Sequence, residues 1–208
     1  NTVWDLRNWV PYCYFLLAQK VETLPNSRLY VLAGPSGVGK GTVVNALRKM
    51  YPQVKVAVSA TTRAPRPGER DGIDYYFLSE ERFDKLLAAD GFLEWAQVHG
   101  RARYGTLRSE VEEHSSRGED VILEIDLAGA RQIRRTHPDA HFIFLLPPSQ
   151  QVLEERLRGR GTEDEAEVAR RLETAKIELA AAKEFEHQLI NDHPEQAARE
   201  LAALMGIA

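Results

Sequence analysis

The chain has 208 residues, enough to bury one substantial core and short for two independent ones. Hydrophobic residues at 43% and charged residues at 28% exclude a disordered or fibrous chain. A net charge of -4 speaks against a sequence-independent nucleic-acid binder, and the lone Cys13 forms no internal disulfide, so the cytoplasm is the expected compartment.

In chain order, residues 1–25 come first as an N-terminal extension to which the pattern assigns no role. Their apolar run from Val10 to Ala18 is interrupted by Pro11 and is too short to span a bilayer. Without a basic start or a small-residue cleavage site they are not read as a targeting signal, and no membrane association is expected. From Arg28 the pattern becomes regular. An apolar run, Leu29 to Ala33, leads into a glycine-rich turn and then a helical stretch that ends before Pro52. Buried strands are expected at Val54 to Val58, Asp120 to Ile125, His141 to Leu146 and His187 to Ile190. Helices are expected near 127–136, 150–158, 165–185 and 194–205. Such alternation predicts an α/β fold with a parallel sheet flanked by helices. Between Ser59 and about Ser116 turn-rich sequence and short alternating runs predict an inserted mixed α/β subdomain, and the irregular, arginine-rich zone from Arg156 to Arg171 a small lid.

Gly34-Pro35-Ser36-Gly37-Val38-Gly39-Lys40 fits the phosphate-loop pattern between a strand and a helix. Its glycines let successive backbone N–H groups converge on phosphate oxygens, and Lys40 adds a point charge. The pattern's hydroxyl residue after the lysine is replaced by Gly41 and displaced to Thr42, so no direct metal ligand is assigned. A Mg²⁺ ion would be held through water, beside Thr42, and by the nucleotide's own phosphates.

Ser59 to Glu69 (SATTRAPRPGE), Gly72 to Tyr75, Glu94-Trp95-Ala96, Arg103 to Thr106 and Glu124 to Gly129 together resemble the guanylate kinases, P-loop nucleoside monophosphate kinases, in their bacterial form. The resemblance runs from about Arg28 to the C-terminus and implies a kinase that uses ATP and Mg²⁺ to phosphorylate GMP, and dGMP, in purine metabolism. Carried over by position, it implies a grip on the GMP phosphate by Arg63, Arg66, Tyr75 and Tyr104, and contacts to guanine from Ser59, Glu94, Thr106 and Asp126. The chemistry agrees: arginine forks and phenolic hydroxyls suit a monophosphate, and a carboxylate accepts from guanine N1–H and N2–H₂ together, where adenine presents a bare acceptor. The resemblance also implies that Asp126 helps to hold the waters of Mg²⁺; Glu124, two residues earlier on the same strand face, either supports it or has a structural role.

The resemblance also implies that Gly34 to Thr42 bind ATP, that Asn191 lies near its adenine, and that Lys40, Arg63, Arg156, Arg160 and Arg171 carry the catalytic charge. Arg156 and Arg160 lie one helical turn apart, and Arg171 flanks the apolar stripe Val168, Leu172, Ala175 and Leu179, whereas Arg170 does not. The implied division is a core of 26–58, 117–150 and 172–208, a GMP-binding subdomain of 59–116 and a lid of 151–171. A kinase for another monophosphate and a non-catalytic phosphopeptide-binding module of the same fold are the rival readings. Glu94 argues against the first, and the intact loop with Lys40 against the second.

Overall fold

The computed structural model describes residues 27–98, 102–159 and 165–208; the extension 1–25 and Arg160 lie outside the described residues. In chain order the elements are β1 (Leu29–Ala33), α1 (Lys40–Met50), β2 (Lys55–Val56), β3 (Ser59–Thr61), β4 (Tyr76–Phe77), α2 (Glu80–Ala88), β5 (Phe92–Val98), β6 (Ala102–Leu107) and α3 (Arg108–Ser115). They continue with β7 (Val121–Glu124), α4 (Leu127–Thr136), β8 (His141–Leu146), α5 (Gln150–Arg158), α6 (Glu165–Ala180), β9 (His187–Ile190) and α7 (Pro194–Met205).

The first sheet is wholly parallel, in the order β2-β7-β1-β8-β9. β1 is at its centre, and every residue of LYVLA is buried, as a strand covered on both faces requires. Alternation along the strands sends Val31, Leu123, Phe142 and Phe144 to one face, where they meet Ile133 of α4 and Phe185. Leu32, Ile122, Ile143 and Leu145 go to the other, where Val43 and Leu47 of α1 and Leu201 of α7 cover them. Helix ends follow local chemistry: Ser149 and Asp126 accept backbone N–H groups at the starts of α5 and α4, and Pro194 opens α7.

The second sheet is mixed, in the order β4-β3-β6-β5, with β3 and β4 parallel and the other pairs antiparallel. Its strands all lie within residues 59–107, and α2 packs on it through Phe83, stacked on Phe92 at 4.3 Å between ring centroids. The Gln132 carboxamide of α4 accepts from Trp95 N at 3.3 Å and donates to Trp95 O at 2.7 Å, fastening this sheet to the first layer of helices.

Two boundaries differ from expectation. The strand expected over Val54–Val58 narrows to Lys55–Val56, the stretch that pairs with β7 at the sheet edge. The helix expected to reach residue 185 ends at Ala180 and tightens into a 3₁₀ turn over Ala181–Glu184, which buries Ala181 and Ala182 and brings the Phe185 ring to 4.8 Å from that of Phe144. No helix among the described residues is long and apolar enough to cross a membrane.

Candidate active site

The carboxyl ends of β1 and β7 open on one side of a cleft of about 1220 Å³, and the mixed sheet faces them from the other side. Ligands gather at this edge of open α/β sheets. The turn after β1 carries Gly34 to Lys40 into α1. Gly39 has φ 93°, in the left-handed region, and a β-carbon there would stand 2.6 Å from Asn191 Nδ2, so both its backbone and its surroundings require glycine. Lys40 Nζ donates to Gly34 O at 2.6 Å, which folds the lysine back over the loop.

Behind the loop, Asn191 Nδ2 donates to Val38 O at 2.7 Å, and Arg156 donates to Val38 O and to Asn191 O, each at 3.1 Å. These two residues were expected to meet ATP directly. Instead Asn191 is 2% exposed, and neither residue lines the cleft. The reason lies in α5. Leu153 and Leu157 pack with Ala175 of α6 and press against Gly37, so Arg156 is carried beneath the loop.

Arg171 does line the cleft. It is 7% exposed, and its Nη2 donates to Ser36 Oγ at 3.2 Å. From the same helix Glu178, which sequence reasoning passed over, accepts from Ser36 N at 3.2 Å. Burial raises the Glu178 carboxyl above its ordinary value, with Lys40 acting in the opposite direction. Its spacing of seven from Arg171 places both on one helix face and was a legible signal.

Across the cleft, register assembles three of the residues expected to contact guanine. Ser59 of β3 and Glu94 of β5 both pair with Thr106 of the intervening β6, so the three form one row across the sheet. Glu94 is 5% exposed; its Oε1 accepts from Thr106 N at 2.8 Å and Thr106 Oγ1 at 2.7 Å, while Oε2 receives no hydrogen bond from the described residues and rests on Gly129. Burial pushes the Glu94 carboxyl up to about 7; the Thr106 hydrogen bonds lower it and the neighbouring Asp126 charge raises it. Asp126 lines the cleft from the start of α4, where its Oδ1 accepts from Gly129 N at 2.7 Å, so it also caps that helix.

Two residues before Thr106 on the same strand, Tyr104 accepts from Arg63 Nε at 3.2 Å. The Arg63 guanidinium lies 5.1 Å from the Tyr75 ring centroid, and Tyr75 meets Tyr104 edge-on at 5.9 Å. Arg66, exposed, reaches the cleft from the same loop. Arg63 and Glu69 form a bidentate pair, at 2.7 and 2.9 Å, and Arg66 N also donates to Glu69 at 2.6 Å. The pair holds Glu69 below the usual carboxylate range and Arg63 above its own. Burial raises the Tyr75 phenol, with the Glu124 charge adding to it.

Among the described residues no group of three or more His, Cys, Asp or Glu is arranged to cage a metal. The cleft nevertheless presents hard oxygen donors beside the loop. A β-carbon on Gly41 would stand 3.6 and 3.7 Å from the two Glu124 carboxylate oxygens, so an acidic group faces the position where the loop pattern has its hydroxyl. Glu124, Asp126 and the exposed Thr42 fit an ion that keeps most of its waters, as Mg²⁺ does. Burial raises Glu124, and Lys40 and Arg48 lower it.

A phosphate loop at the end of a parallel sheet, facing an arginine–tyrosine anion pocket across one cleft, places the chain in the class of P-loop kinases that act on monophosphates. The comparisons narrow the class. The family model described as guanylate kinase matches residues 26–207. A guanylate kinase of Leifsonia xyli subsp. xyli is 56% identical over 177 residues, covering 85% of this chain and 70% of the relative. One from Streptomyces coelicolor is 54% identical over 180 residues, covering 86% and 91%. The crystal structure of guanylate kinase from Anaplasma phagocytophilum superposes with a TM-score of 0.72 at 30% identity, covering 86% of this chain and 85% of that one. The chain belongs to the guanylate kinase family.

Proposed function

We propose that this chain transfers the γ-phosphoryl group of ATP to GMP, giving ADP and GDP, within the purine metabolism of the cytoplasm. The observation that carries the reading is the row of Ser59, Thr106 and Glu94 facing the phosphate loop across a single cleft. A buried carboxylate whose Oε1 is fixed by Thr106 matches the adjacent N1–H and N2–H₂ donors of guanine. Adenine would set its N1 acceptor against that charge, and a site built on buried hydrogen bonds rejects such a misfit by up to roughly 10⁴–10⁵.

Phosphoryl transfer needs alignment and positive charge more than covalent help from the protein. Arg63, Arg66, Tyr75 and Tyr104 hold the GMP phosphate and so fix its attacking oxygen in line. The loop backbone and Lys40 take the ATP phosphates, and Arg171, with Arg160, neutralises the charge that spreads during transfer. Arg156 and Asn191 contribute by keeping the loop in shape. When bound with the nucleotide, Mg²⁺ supplies charge neutralisation, and Thr42, Glu124 and Asp126 would hold its waters. Residues 59–116 form the acceptor subdomain, and residues 151–171 the lid.

The test is ADP release with ATP and Mg²⁺ in the presence of GMP, dGMP, AMP, UMP, TMP or no acceptor. Release dependent on GMP or dGMP is expected. Preference for another monophosphate would overturn the reading of Glu94, and no acceptor-dependent release from folded protein would overturn the kinase reading.

A further inference from the structure

Helix α6 grips one residue of the phosphate loop with two side chains. Glu178 Oε2 accepts from Ser36 N, and Arg171, two turns away on the same face, donates to Ser36 Oγ, each at 3.2 Å. Glu178 is half-buried, lines the cleft together with Ser36 and Lys40, and lies close enough to Lys40 for the two charges to act on one another. Backbone N–H groups in such a loop are oriented to receive anionic oxygens. Here one of them already receives an anionic oxygen, supplied by the chain itself.

We infer that Glu178 is a positioning residue of the donor site: its carboxylate stands where a terminal phosphate oxygen of ATP binds, and yields that place when the triphosphate arrives. The inference rests on reading the loop as the ATP site. Ser36 N cannot serve both anions fully, and two negative charges at one donor repel, so Glu178 lowers the apparent affinity for a triphosphate. A diphosphate lacks the terminal group and competes with the carboxylate far less. After transfer the carboxylate returns to Ser36 while ADP is still bound. That return keeps the loop ordered.

The experiment is calorimetric titration of the full chain with ATP and with ADP, at constant Mg²⁺ and without acceptor, for wild type, Glu178→Gln and Glu173→Gln. Glu173 is an exposed residue of the same helix, paired with Lys176 at 2.5 Å, and its substitution removes an equal charge away from the loop. Glu178→Gln is expected to tighten ATP roughly 3- to 10-fold and ADP by less than about twofold, with Glu173→Gln changing neither. Unchanged or weaker ATP binding by Glu178→Gln, or equal tightening by Glu173→Gln, would overturn the inference. If wild type binds ATP normally in such a case, the donor-site reading stands and Glu178 alone has been misassigned; a wild type that binds no ATP overturns both.

Discussion

Glu94 and Gly129 are fitted to one another: the Glu94 carboxylate rests on the first turn of α4, where a β-carbon on Gly129 would collide with Oε2. Gly129→Ala therefore tests the proposed base site without replacing any residue expected to contact the base. Alanine is favoured over glycine in a helix by about 1 kcal/mol, which offsets part of the cost of moving the carboxylate off Thr106, so the fold should be retained. Displacing the carboxylate should raise the KM for GMP about tenfold and leave that for ATP within about twofold. Initial-rate kinetics and a melting curve check this; an unchanged KM for GMP would mean that the carboxylate position is not used.

Burial of Glu94 also has a signature in stability. Its folded value of about 7 lies above the ordinary 4.5, so between these limits the folded state holds a proton that the unfolded state has released. Its contribution to stability is therefore greatest at low pH and declines as pH rises through about 4.5 to 7. Glu94→Gln removes that dependence. Denaturant melts across pH should show the variant gaining on wild type through this window and holding a constant advantage above it; parallel curves would contradict the burial of an ionised carboxylate.

Arg156 braces the phosphate loop through the carbonyls of Val38 and Asn191. Arg156→Ala should loosen the loop, raising the KM for ATP roughly tenfold with kcat within about threefold and the KM for GMP unchanged. A loss of kcat of about a hundredfold at unchanged KM would instead place the guanidinium on the transferring phosphate.

The parallel sheet was legible from the sequence because apolar runs such as LYVLA and HFIFLL are buried on both faces and bounded by turn residues. The phosphate loop was legible because its glycines and lysine are contiguous. The row proposed to read the base was legible only through resemblance to the guanylate kinases. Ser59, Glu94 and Thr106 are far apart in the chain, and cross-strand register, which brings them together, leaves no local pattern. The place of Arg156 was hidden for a related reason: helical spacing puts it on a face, but which side of the loop that face meets depends on the packing of Leu153 and Leu157. The fit of Gly129 to Glu94 and the bridge from Gln132 to Trp95 leave no sequence signal, because a close approach and a carboxamide bridge are properties of pairs, visible only once α4 and β5 are side by side.

The most direct measurement is the ratio of kcat/KM for GMP to that for AMP, in wild type and in Glu94→Gln. Wild type should prefer GMP by several orders of magnitude, and the variant should lose most of that preference through GMP while its KM for ATP stays within about twofold. A wild type indifferent to the base, or a variant that keeps the full preference for GMP, would contradict the assignment of Glu94 as the reader of guanine.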